Sequence, residues 1–328
     1  MATPAKWGDK PHAMQPLESR AWNARGTGTG DATARRMFQK ILCPIDFSPG
    51  SDHALQVAVQ MATASDAELV LAHAWSLLPM VSTRYPVAAD TVEIIEREAE
   101  RGLAVAAHDA ARLGARRVST RLLVGTAWDQ VVSMVVDDPA FDLIVVGTHG
   151  RTGIARVLLG SVAEKVVRHA PCSVLAARPR GEVRSFRHVL CPIDFSSGSR
   201  PAVELAGEVT APGGTGITLL HAIELPVVLS GEMVPADLFA DVDVSARRLL
   251  EQWAADLRAK AAVPIATRIE TGSPGARVLA VLDEDSTFDL VVVGSHGRTG
   301  LSRVLMGSVA EKIVRHAPCP VLVARRRT

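Results

Sequence analysis

The chain has 328 residues, 48% of them apolar and 22% charged, with a formal net charge of +1. That length suits two domains of ~150 residues. The charge balance excludes nucleic acid as the main partner, since phosphate backbones need a basic surface, and no run is apolar for long enough to span a membrane.

Residues 1–36 are rich in Gly, Ala, Thr and Arg, without periodicity, and are expected to form a disordered tail. Gly26-Thr27-Gly28-Thr29-Gly30 within it follows no strand, so it reads as flexible linker rather than a phosphate loop. The tail lacks the apolar run of a secretory signal, and Met37 is a candidate alternative start. Cys43, Cys172, Cys191 and Cys319 form no CxxC pair. A cytoplasmic setting with buried, reduced thiols is expected.

Five short apolar runs follow: Ile41–Ile45, Leu69–His73, Thr120–Val124, Leu143–Val146 and Ser173–Ala176. They read as buried strands. Ser48 and Pro49 open a helix with an apolar face at Leu55, Ala58, Val59 and Ala62. Ser161 opens another, with Val162, Ala163, Val166, Val167 and Ala170 on one side. Strands alternating with helices predict a parallel α/β sheet, doubly wound, with ligands beyond the carboxyl ends of the central strands.

The same elements then recur. Leu42-Cys43-Pro44-Ile45-Asp46-Phe47-Ser48 returns unchanged as Leu190–Ser196, and Phe141–Arg178 returns as Phe288–Arg325 with 30 of 38 residues identical. The spacing sets domains at residues 37–178 and 187–328, joined by a linker over 179–186. Residues 75–120 and 223–267 have diverged, which makes that flank the place where the halves differ in partners.

What the duplication kept is a loop system. Gly147-Thr148-His149-Gly150 ends the fourth strand, nine residues follow, and Gly160-Ser161 opens a helix; Gly294-Ser295-His296-Gly297 and Gly307-Ser308 repeat the spacing. Glycines let backbone amides approach an anion. A helix start adds free amides and the positive dipole end, which suits a polyphosphate. His149 and His296 are loop or phosphate contacts in preference to general bases, and Arg151 and Arg298 either neutralise phosphate or are solvated.

The pattern G-x2-G-x9-G-[ST], the opening Ile-Leu-Cys-Pro-Ile-Asp-Phe-Ser and the endings Ala170-Pro171-Cys172-Ser173-Val174-Leu175 and Ala317-Pro318-Cys319-Pro320-Val321-Leu322 resemble the universal stress protein family, in its tandem form. The resemblance implies two tandem doubly wound five-stranded parallel sheets in the order 3-2-1-4-5, with helices on both faces and ATP in each crevice. Carried over residue by residue, Asp46 and Asp194, with Pro44, Ile45, Pro192 and Ile193 of the same motif, sit beside ribose and adenine. Ala74 and Ala222 line the adenine pocket. Val146-Gly147-Thr148 and Val293-Gly294-Ser295 contact ribose and α-phosphate. Gly150, Gly160, Ser161 and Val162 hold the phosphates, as do Gly297, Gly307, Ser308 and Val309, and Arg151 and Arg298 beside those loops are candidate cofactor contacts. Mg would bind through the phosphates of ATP, because no dedicated ligand cluster is present.

The family often has Gly-x-Pro after the third strand; Gly272-Ser273-Pro274 keeps it and Gly125-Thr126-Ala127 does not, which predicts a looser loop in the first half. A nucleotide-dependent signalling role in stress adaptation is expected, with a slow ATPase or nucleotide transferase as the alternative. No Walker lysine or SGGxDS-like loop supports an enzyme. The final strands are apolar and uncharged, so the halves are expected to pair through them, and a homodimer is expected; the sequence names no protein partner.

Overall fold

A computed structural model describes residues 37–76, 89–148, 159–179, 185–224, 236–296 and 306–325. The expected tail and most of the linker lie outside them, as do His149, Gly150, Arg151, Gly297 and Arg298.

The aliphatic runs form strands because their side chains alternate between two covered faces. In the first half these are β1 (Lys40–Pro44), β2 (Glu68–Trp75), β3 (Arg117–Val124), β4 (Leu143–Gly147) and β5 (Ser173–Ala177). Between them lie α1 (Pro49–Ser65), α2 (Ala89–Arg112), α3 (Ala127–Asp137) and α4 (Ser161–His169). The second half repeats the order with β6 (His188–Pro192), β7 (Gly216–Ile223), β8 (Ile265–Thr271), β9 (Leu290–Gly294) and β10 (Val321–Ala324). Its helices are α5 (Arg200–Val209), α6 (Ala236–Arg258), α7 (Pro274–Glu284) and α8 (Ser308–His316).

Each half is parallel in the order 3-2-1-4-5, and β10 runs antiparallel to β5, so the two sheets merge into one of ten strands, β3-β2-β1-β4-β5-β10-β9-β6-β7-β8. The register at the join is Ala176 with Val321, Leu175 with Leu322 and Val174 with Val323.

Two apolar cores sandwich this sheet. One gathers α1, α2, α5 and α6 over Ile41, Cys43, Leu175 and Leu322; the other gathers α3, α4, α7 and α8 over Leu42, Ile144, Val174 and Val321. Both run across the join. All four cysteines are buried and none is in a disulfide. Burial pushes the Cys43 thiol up to about 12 and raises Cys191 as well, which leaves them as small apolar groups rather than nucleophiles. No helix among the described residues is long and apolar enough to cross a membrane.

The β3–α3 turn has one geometry in both halves. Gly125 and Gly272 take φ of 137° and 127°, and their amides donate to Trp75 O (2.8 Å) and Ile223 O (2.9 Å). Thr126 and Ser273 follow with matching φ and ψ, and both helices have 11 residues. The looser loop expected from Ala127 is therefore not a difference in conformation. The glycine's positive φ sets the turn, and Pro274 only occupies a first helical position where the amide has no intrahelical partner anyway.

Candidate functional site

The strand order reverses at β1, which lies between β2 and β4. The loops leaving β1 and β4 diverge there to opposite faces and leave a crevice between them. The second half has the same reversal at β6, between β7 and β9.

The β1 side is built by short-range bonds. Asp46 Oδ1 accepts from the Ser48 amide (3.1 Å) and hydroxyl (2.5 Å). Ser48 in turn caps α1: its Oγ accepts from the Ser51 amide (3.3 Å), and its own amide donates to Ser51 Oγ (3.1 Å). Asp194 is held by the Ser196 amide (3.0 Å) and by the hydroxyls of Ser196 and Ser199 (both 2.6 Å). Each carboxylate is thus fixed, half-buried, at the mouth of its crevice.

Phe47 and Phe195, next in sequence, take φ of 61° and 62°, a left-handed conformation that is costly for a bulky residue. Each ring packs on a histidine from the neighbouring strand, Phe47 on His73 (4.5 Å between centroids) and Phe195 on His221 (4.3 Å). His73 Nδ1 lies 2.8 Å from Ile45 O, and His221 Nδ1 lies 2.9 Å from Ile193 O. A carbonyl can only accept, so Nδ1 carries the proton in both. These histidines tie β2 and β7 to the aspartate loops. The sequence marked the phenylalanines only as part of a repeated motif; an aromatic duplicated directly after the aspartate was the available signal.

The β4 side depends on glycine. A Cβ on Gly147 would lie 2.7 Å from Gly50 O in the first turn of α1, and one on Gly294 would lie closer still to Gly198 O. The end of β4 and the start of α1 therefore approach as only a glycine permits. Gly50 and Gly198 are participants that the motif did not reveal. Farther along, the Gly160 amide donates to Thr148 O (2.7 Å) and the Gly307 amide to Ser295 O (2.9 Å). Each glycine loop is thereby closed at its base, and α4 or α8 begins beside the strand end.

Gly160 and Gly307 are the N-cap residues of α4 and α8, with φ of −62° and −65°, and a glycine N-cap has no side chain with which to cap its helix. The first amides of a helix lack intrahelical partners. Here they face the crevice mouth with Ser161 and Ser308 exposed beside them.

Several expected residues can offer only backbone. Ile45, Ile193, Val146 and Val293 bury their side chains in the two cores, and Val162 and Val309 pack against one of them. Thr148 is 0% exposed and its hydroxyl donates to Ala177 O (3.3 Å), while Ser295 Oγ pairs with His296 Nδ1 (2.9 Å). Pro44 and Ala74 are half-buried, whereas Pro192 and Ala222 are buried. In each half the crevice thus offers main chain and, at its mouth, a fixed carboxylate and a helix N-terminus. Among the described residues no group of His, Cys, Asp or Glu has the arrangement of a metal site.

Comparison with known proteins agrees with this architecture. The Universal stress protein family matches residues 37–178 and again 185–325. A universal stress protein of Mycolicibacterium smegmatis is 27% identical over 292 residues, which cover 88% of this chain and 97% of that protein. Another from Mycobacterium tuberculosis is 32% identical over 200 residues, or 60% of this chain and 66% of its own. Among solved structures, a universal stress protein from Archaeoglobus fulgidus aligns with a TM-score of 0.64 at 22% identity, covering 88% of this chain and 98% of that one. At that identity the likeness speaks for the fold alone.

Proposed function

The chain belongs to the universal stress protein family, and from that premise we propose that each half binds one ATP and that occupancy sets a conformation read by other proteins during stress adaptation. The observation that carries this reading is the paired glycine cradle. Gly147 and Gly294 admit no Cβ beside Gly50 and Gly198, and Gly160 and Gly307 bring no capping side chain to their helix starts. Duplicated backbone amides at a helix N-terminus, beyond the carboxyl ends of parallel strands, suit an anion of the size of a polyphosphate.

In this reading Asp46 and Asp194 hold the ribose, and the small side chains of Ala74 and Ala222 leave room for adenine. The amides after Gly160 and Gly307 hold the phosphates, and Gly150, Arg151, Gly297 and Arg298 belong to the same assignment. Mg, where bound, would neutralise phosphate charge and would be held chiefly by ATP itself. The role is binding rather than turnover: the fixed carboxylates are engaged by serine hydroxyls and amides, an arrangement that positions a sugar rather than activates a nucleophile. A cytoplasmic setting fits the buried thiols, and self-association into a homodimer belongs to the same proposal.

Mass spectrometry of small molecules released from the purified, denatured protein should identify an adenine nucleotide. Calorimetry with Mg-ATP should report two sites, both lost in a folded Gly160→Val, Gly307→Val variant. The N-cap φ and ψ are open to valine, but its side chain covers the helix amides. Unchanged affinity in that variant overturns the site. Steady phosphate release at ~1 per second or faster, the range of ordinary enzymes, overturns the non-enzymatic role.

A further inference from the structure

Each of the two last helices is held at its carboxyl end by an arginine from the other half. Arg178, directly after β5, is buried at 6% exposure, and its Nη2 donates to Val314 O and Arg315 O, both at 2.7 Å, in the last turn of α8. Its counterpart Arg325 (325 − 178 = 147) follows β10. There Nη2 donates to Val167 O (2.5 Å) and Arg168 O (3.1 Å), and Nη1 to Ala170 O, at the end of α4.

Burial pushes both guanidinium groups below their usual pKa, so each charge is costly where it stands. The carbonyl end of a helix, with its partial negative charge, offsets that cost. The Nε atom of each arginine is buried without a hydrogen-bond partner, so the hydrogen bonds are concentrated in the fork that grips the helix end.

The same arginines are one residue from their own half's glycine loop. The Thr148 amide and hydroxyl reach Ala177 O at 3.4 and 3.3 Å, and the Ser295 amide reaches Ala324 O at 3.2 Å. A second, weaker tie crosses the join. Arg315 pairs with Glu164 (3.0 Å), which stands in the first turn of α4, and Arg168 pairs with Glu311 (3.5 Å) in the first turn of α8. With the pairs inside each helix, Glu164–Arg168 and Glu311–Arg315, four charges form a ring over the join.

We propose that Arg178 and Arg325 are positioning residues exchanged between the halves. Each fixes, through a short helix, the amides at the mouth of the other half's site, so that the two sites are coupled. The proposal rests on the nucleotide reading above. Its physical basis is the length of α4 and α8, nine residues each and about 13 Å long. A helix that short moves as one piece, so an end gripped by the opposite half fixes the end that meets the ligand. Ligand at one loop, in turn, steadies the strand end that carries the arginine serving the other.

The test uses the full chain with one site disabled at a time. In Gly307→Val only the first-half site binds Mg-ATP, and adding Arg325→Met should weaken it about fivefold or more, while Arg178→Met should change it less than about twofold. In Gly160→Val the two arginines should exchange roles. Arg→Lys, which keeps the charge but loses the fork, should recover part of each loss. Equal effects in both backgrounds, or none, overturn the proposal. A second measurement needs no arginine variant: in Gly307→Val, Mg-ATP should slow hydrogen exchange in the last turn of α8 as well as in α4, and protection confined to α4 overturns the coupling. Failure of the unsubstituted chain to bind Mg-ATP overturns the nucleotide reading itself, whereas binding without the crossed pattern overturns only the exchange.

Discussion

Gly147 owes its identity to a carbonyl nearly a hundred positions earlier. Its missing Cβ would meet Gly50 O at 2.7 Å, so Gly147→Ala must separate β4 from the start of α1 or distort both. Overpacking of this kind costs about 1–3 kcal/mol. Gly147→Ala should lower stability by that amount in urea titration and weaken nucleotide binding in the first half; a neutral result would mean that the approach of β4 to α1 is not as close as described. Gly160→Ala should cost less, since its Cβ would lie 3.2 Å from Thr148 O. The glycine spacing was legible in the sequence because it repeats, but the reason for Gly147 was not, because Gly50 is a neighbour only after folding. Thr148 is the reverse case. It sits in the motif as a candidate ligand contact, yet its hydroxyl is turned inward to Ala177 O, and no local pattern reveals which way a buried hydroxyl points.

Among elements, α1 and α5 show how a proline placed a few residues later moves a helix start. Ser48 and Pro49 open α1 with reciprocal Ser48–Ser51 bonds. In the second half Pro201 stands where the first has His53 (201 − 53 = 148), and α5 begins only at Arg200, with no side-chain cap on Ser199. Ser199 is released from capping and its hydroxyl joins Asp194 instead. Ser48→Ala removes both the α1 cap and a bond to Asp46, and should cost about 1 kcal/mol, read as a lowered denaturation midpoint with an unchanged slope. An equal loss for Ser196→Ala would show that the cap is not the cause, since Ser196 does not cap α5. The Ser-Pro signal of α1 was readable from sequence, as were the apolar strands. The long helix α2 is not legible in the sequence, although Ala99, Leu103 and Ala110 supply its buried stripe at helical spacing. Its flank has diverged between the halves, so the repeat gave no support there, and a stripe containing two alanines is a weak periodic signal.

For the whole molecule, the decisive feature is which sheet edges remain. β3 and β8 are the outer strands and carry Arg117, Arg121, Arg268 and Glu270, charges that discourage further pairing. β5 and β10 are wholly buried and apolar apart from Ser173, and they pair with each other. With one sheet and two cores that both cross the join, the halves should melt together. Calorimetry should give a single transition whose calorimetric and van't Hoff enthalpies agree. Val174→Asp with Val321→Asp places unpaired charge in that join, and should split the transition or lower it sharply while hydrogen-exchange protection of both strands is lost. Two well-separated transitions in the unsubstituted chain would show that the halves are energetically independent.

Leu175 lies opposite Leu322, its own counterpart (322 − 175 = 147), so the axis relating the halves passes through that pair. In an assembly of two identical chains, every inherited change at such an axis arrives twice and meets itself, and selection must accept both copies or neither. A chain that carries both copies escapes that restriction, because each position mutates alone. Ser173 and Pro320 already differ at equivalent places: the Ser173 hydroxyl accepts the Arg325 amide at 3.2 Å, and Pro320 has no hydroxyl to offer in return. Fusion therefore turns a join that heredity would hold symmetric into one whose two sides can drift apart, one substitution at a time, while the sheet stays whole.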